Sequence, residues 1–129
     1  MKRILSYLTL PLLFCAGFAC SDSSTTPSGD IVFPDSNISY AAYVQPLFNL
    51  RCSNTGCHDD QSRAGDLSLS SYFALTSKPG IIIPGNSKSS LLAQKIDGRL
   101  PHQNTIPIII NTNQINGVKK WIDEGAKNN

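Results

Sequence analysis

An excess of charge of one sign is what this 129-residue chain lacks. Of its 11 basic residues, Lys2 and Arg3 sit at the extreme N-terminus, and the nine others face nine acidic residues that all lie beyond position 20. Such a balance leaves no electrostatic footprint for nucleic acid, and the tyrosines and phenylalanines are scattered rather than interleaved with cations. After the N-terminal segment no apolar run approaches 18 residues, so no membrane span is expected in the body of the chain. Internal repeats, heptads, long alternating strands and a G-x-S-x-G nucleophile motif are all missing, and no enzyme activity is expected. Methionine occurs once, as Met1, and histidine twice, as His58 and His102.

What the N-terminus does contain is a secretory pattern. Lys2-Arg3 precede an apolar run from Ile4 to Ala19 that ends in small residues, the charge and length of a cleaved export signal over 1–19. Gly17-Phe18-Ala19-Cys20 resembles a bacterial lipobox with a bulky Phe18 inside it, which makes Cys20 the expected lipidation site. Acyl chains there would hold the protein on a periplasmic or outer-membrane surface without a spanning helix. The other reading is ordinary signal cleavage nearby, with Cys20 discarded or free.

Residues 20–37 are rich in Ser, Thr, Pro, Asp and Gly and read as a disordered tether, because too little apolar surface is present to offset the ordering entropy. The domain is read as 38–129. Tyr40, Tyr43, Val44, Leu47 and Phe48 recur at helical spacing behind a Ser39 cap, predicting a helix over 39–51 that Pro46 ends, kinks or restarts. Further helices are predicted at 70–76 (cap Ser70 or Ser71), 87–97 (cap Asn86 or Ser87) and 112–125 (cap Thr112 or Asn113, stop at Gly125). Between them Lys78-Pro79-Gly80 and Pro84-Gly85 read as turns, and Ile81-Ile82-Ile83 as a buried extended stretch. The fold class is all-α: three to four short helices with long Pro/Gly-rich loops. A domain of that size has a meagre apolar core and usually needs a staple.

The staple is sought in Cys52-Ser53-Asn54-Thr55-Gly56-Cys57-His58. Two thiols one loop apart, with an imidazole beside the second, are the residue types of c-type haem attachment, in which the thiols add to porphyrin vinyl groups and the His ligates iron. The usual spacing leaves two residues between the cysteines; here there are four, and Gly56 is the residue that would let the longer loop fold back. Two alternatives stay open on the residues alone: a Cys52–Cys57 disulfide in a haem-free interaction module, and a Cys2His2 zinc site completed by His58 and His102.

Beyond the cysteines, ordered stretches carry a resemblance: Val44-Gln45-Pro46-Leu47-Phe48, Gly56-Cys57-His58-Asp59, Ala64-Gly65-Asp66-Leu67-Ser68-Leu69, Ser71-Tyr72-Phe73-Ala74-Leu75, Ile83-Pro84-Gly85-Asn86 running on to Leu91-Leu92, and Trp121-Ile122-Asp123-Glu124-Gly125-Ala126. The chain resembles the small cytochrome c modules of bacterial lipoproteins and planctomycete-type cytochromes. The resemblance implies one covalent haem c, with Cys52 and Cys57 as thioether positions, His58 as proximal iron ligand, and redox proteins as partners. Where the family often has a Met-Pro step supplying the distal ligand, this chain has Ile106-Pro107, so His102 is the candidate substitute. If the distal position were open instead, a small-ligand sensor would be the reading. Trp121 with Ile115, Val118 and Ile122 is expected to be plain core, and Asp59-Asp60, Lys119-Lys120 and Asp123-Glu124 are expected to be solvated faces.

Overall fold

The computed structural model describes residues 30–102 and 110–129. The signal segment, Cys20, the first part of the tether and the Ile106-Pro107 step lie outside them. Among the described residues the regular elements are helical, with a single isolated bridge between Pro79 and Ile82 in place of any strand.

The first helical stretch begins as expected. Ser39 Oγ accepts from the Ala42 amide, and a wide π-helical turn, Tyr40–Val44, runs straight into α1, Gln45–Arg51. Pro46 sits in the first turn of α1, where its missing N–H costs nothing, so it restarts the helix rather than ending it. α2, Tyr72–Thr76, is capped by Ser71 Oγ on the Ala74 amide.

α3 is shorter than its periodicity suggests, Leu91–Ile96. The Asn86 side chain accepts from the Ser89 amide and closes a separate turn. Ser90 then takes an extended conformation, with its Oγ accepting from the Ile83 amide and donating to the Asn86 carbonyl. Those loop-directed bonds hold 87–90 out of the helix. α4, Thr112–Asp123, is capped one residue earlier than expected: Asn111 and Gln114 form a reciprocal capping box. Gly125, at φ +101°, turns the chain out of the helix.

The tether boundary at 37 needs correction. Ile31 to Ile38 lie along α4. The Phe33 amide donates to Asn113 Oδ1 at 2.8 Å, Asn113 Nδ2 returns a bond to the Phe33 carbonyl at 3.0 Å, and Gln114 Nε2 donates to the Ile31 carbonyl at 3.2 Å. Phe33 itself is buried against Gly117; a Cβ there would lie 2.2 Å from the ring. Composition alone misplaced this segment because one buried aromatic and a set of side-chain amides suffice to order it.

The core joins Val44, Leu47 and Phe48 to Leu75, Val118 and Ile122, with Tyr40, Tyr72 and Trp121 stacked edge to face and tilted at centroid distances of 5.2 to 6.5 Å. Trp121 is core, as expected, and its indole N–H donates to the Lys127 carbonyl. Of the predicted buried stretch, Ile81 and Ile82 are buried, but Ile83 is partly exposed at 37%.

Several carboxylates read as solvated faces are tie points. Asp60 accepts from the buried Ser68 hydroxyl, Asp123 from the amide and hydroxyl of Ser87, and Glu124 from the amides of Asn37 and Ile38. Lys119 reaches Asp97 at 3.2 Å and so braces α4 against the end of α3.

Candidate functional site

Phe48 ends the buried face of α1, and its carbonyl accepts from the amides of both Cys52 and Ser53, each at 2.8 Å. The four residues between the cysteines then loop outward. Cys57 N donates to Asn54 O at 2.9 Å, Gly56 adopts φ +82°, and His58 N donates back to Cys52 O at 3.1 Å. That last bond returns the second cysteine and the histidine to the side of the first, so the extra residues are absorbed as a bulge. Gly56 serves there in the way its conformational freedom suggested.

The loop is laced onto the segment that follows. Ala64 N donates to Cys57 O and Leu69 N to His58 O, both at 2.8 Å. The His58 ring lies with Nδ1 3.1 Å from the Leu67 carbonyl. A carbonyl only accepts, so this contact places the proton on Nδ1 and leaves Nε2 with a free lone pair, the arrangement that orients a metal-binding imidazole. Leu67 is nine residues away, and nothing in the motif itself points to it.

Cys52, His58 and His102 line one cavity of about 300 Å³ that opens to solvent, with Leu67, Leu69, Ile81, Leu92 and Ile96 among its apolar walls. The volume is at the lower end of the roughly 300–1,000 Å³ typical of small-molecule sites. His102 stands across from His58, ring centroids 5.9 Å apart and planes at 78°. Its Nδ1 is buried without a hydrogen-bond partner among the described residues. Burial, then the neighbouring charges of His58 and Lys95, hold the His102 pKa below the ordinary imidazole value, so the ring is neutral at neutral pH.

Cys52 and Cys57 are free thiols, each partly buried. Burial first, then the Cys57 thiol, push the Cys52 pKa up to about 11 against a smaller lowering pull from Arg51, so Cys52 is a protonated thiol at neutral pH. Among the described residues no three His, Cys, Asp or Glu side chains converge as a metal cluster, which removes support from a Cys2His2 zinc site.

This geometry has a counterpart among known families. Residues 55–103 match the family model of Planctomycete cytochrome C. The matched segment contains Cys57, His58 and His102 and begins inside the loop that separates the two cysteines, so Cys52 lies just outside it. No curated protein and no solved structure matches the chain. The apolar walls, the His58 imidazole and the Cys52 thiol on this cavity fit what a haem asks of a protein, while Cys57 directly precedes His58 in the chain without lining the cavity. Sequence reasoning missed Leu67 as the orienting group, and it missed Lys78 and Lys95 at the cavity.

Proposed function

We propose that the chain is a monohaem c-type cytochrome, lipid-anchored through Cys20, that passes single electrons between redox proteins and has no enzyme activity of its own. The observation that carries this reading is the His58 imidazole on the wall of an apolar cavity, its Nδ1 held by the Leu67 carbonyl, in a segment that matches a cytochrome family. Haem bound there supplies a one-electron couple.

The chain's own residues have four tasks. Cys52 and Cys57 would hold the haem as thioethers, each S–H adding across a vinyl double bond with sulfur on one carbon, hydrogen on the other and no net gain or loss of electrons. The bond from His58 N to Cys52 O brings the backbone after the four-residue loop back to Cys52, which lines the cavity with His58. His58 offers Nε2 as proximal ligand while Leu67 fixes its tautomer. Leu69, Ile81, Leu92 and Ile96 line the cavity and would shield a bound haem from water, one of the factors that tune a haem's potential. Among the described residues no helix is long and apolar enough to cross a membrane, so the proposed attachment rests on the N-terminal signal and Cys20.

The test is a pyridine haemochrome assay on protein expressed with a periplasmic cytochrome c maturation system, followed by haem staining after denaturing electrophoresis. One haem per chain that stays with the denatured polypeptide is expected. Loss of stoichiometric covalent haem in Cys52→Ala and Cys57→Ala should follow. A colourless wild-type protein whose two thiols have oxidised to a disulfide would overturn the cytochrome in favour of the interaction module.

A further inference from the structure

We propose that His102 is the second axial ligand of this haem, closing the iron between two imidazoles, and that Lys95 is the positioning residue that holds His102 there. The proposal rests on the haem reading above and goes beyond it by deciding between an electron carrier and a ligand sensor.

The spacing of the rings is the first observation. His58 and His102 line the same cavity with centroids 5.9 Å apart. An imidazole nitrogen sits about 2 Å from a metal it ligates and ~1 Å from its own ring centre, so two imidazoles on one ion have centroids about 6 Å apart. The second observation is chemical. His102 Nδ1 is buried with no hydrogen-bond partner among the described residues, a state that is costly unless something else engages the ring.

The third observation is how the loop that carries His102 is built. At the end of α3, Gly98 takes φ +79°, and Leu100 N donates to Gln94 O at 2.9 Å, which folds the chain back over the cavity. Lys95 Nζ then donates to the Pro101 carbonyl at 2.6 Å, one residue before His102. Arg99 is tied down in turn, by Asp97 and by the Lys88 carbonyl. A loop histidine with no role would not need its preceding peptide clamped from the helix below.

Rival donors are few. The sequence has no methionine beyond Met1, and the ammonium groups at the cavity are committed elsewhere, Lys95 to Pro101 O and Lys78 to the carbonyls of Gly65 and Asp66. Ligation by two imidazoles leaves no vacant axial site and favours ferric iron relative to a thioether partner. The occupant of this domain would therefore exchange electrons and refuse diatomic gases.

The experiment uses the covalently loaded protein. Wild type should show low-spin ferric and ferrous spectra and negligible uptake of carbon monoxide. His102→Ala should retain stainable covalent haem but become high-spin and bind carbon monoxide, and added imidazole should restore the low-spin spectrum. Lys95→Leu should admit carbon monoxide on the order of ten-fold faster per haem, the equivalent of losing one charge-assisted hydrogen bond, and Lys95→Arg should keep most of the wild-type protection. A high-spin, gas-binding wild type, or a His102→Ala protein that stays low-spin, would overturn His102 as ligand even though the haem is present. The wild-type spectrum decides this if the variant fails to fold. Lys95→Leu behaving as wild type would remove Lys95 from the proposal, whereas a protein without haem would defeat the reading beneath it.

Discussion

On the α4 side of the molecule Tyr40, Tyr72 and Trp121 close around one another, whereas on the His58 side the apolar walls stop short and leave a cavity of about 300 Å³. The two regions share one small chain and several core residues. The contrast teaches where stability and function have been separated. The packed side is held by aromatic contacts, by the α4 capping box and by the 31–38 strap, none of which requires a ligand. The cavity side is held by short backbone bonds within 52–69 and keeps its apolar surface available.

Truncation on the two sides should therefore give unequal losses. Trp121→Ala removes the centre of the aromatic cluster and should cost about 3–5 kcal/mol, enough to leave the haem-free domain largely unfolded in a urea titration. Leu67→Ala should cost the haem-free protein far less, ~1 kcal/mol, because that side chain is only half-buried on a cavity wall. Equal losses would mean the cavity side is packed in solution and would erase the contrast.

Gly117→Ala probes the strap. A methyl group cannot coexist with the Phe33 ring, so the strap must shift, at a cost of about 1–3 kcal/mol. Proteolysis within residues 30–37 should become faster while the visible spectrum of the loaded protein stays the same, since the strap does not line the cavity.

Glu124 supplies a smaller, pH-dependent contribution on the packed side. The Ile38 and Asn37 amides, with lesser help from Lys120 and Lys127 and against a raising effect of burial, hold its carboxyl below the usual glutamate range. A depressed folded-state value means the stabilisation is complete above the unfolded glutamate pKa and drains away as pH falls through the folded one. Glu124→Gln should lower stability by ~1 kcal/mol at pH 7 and by progressively less as the pH drops, read from urea midpoints between pH 7 and pH 3. The smallest effect belongs to Phe73→Ser. This side chain is 80% exposed on α2, and the change should stay within about 0.5 kcal/mol by the same titration.

Much of this arrangement was legible beforehand, and the failures share a cause. Helical spacing found the first helical stretch and α4, because their buried faces are made of residues three and four apart, and the Ser71 cap marked α2. The beginning of α3 was misread because Ser90 and Asn86 bind loop carbonyls and amides in preference to a helix, a competition that periodicity does not register. Asn111 was recoverable: Gln114 three residues on completes a capping box, a local signal that was overlooked. The roles of Asp60, Asp123 and Glu124 were not recoverable from local pattern, since the groups they accept from lie 8, 36 and up to 87 residues away. At the site, the cysteine pair and His58 could be read from spacing and residue type. Leu67 as the orienting acceptor and Lys95 as the clamp on Pro101 depend on how loops fold back, and only the three-dimensional arrangement supplies them.

The strap on α4 also sets a leash. Asp30 and Ile31 are already held by Asn111 and Gln114, ten peptide steps from the proposed anchor at Cys20 to Asp30, and ten steps span at most about 35 Å. Were the first contact with the body only at residue 38, that reach would be nearly twice as large. A domain anchored in that way would stay in a thin shell above the lipid headgroups, and under the proposed electron-transfer role a partner would have to bring its own redox centre down into that shell.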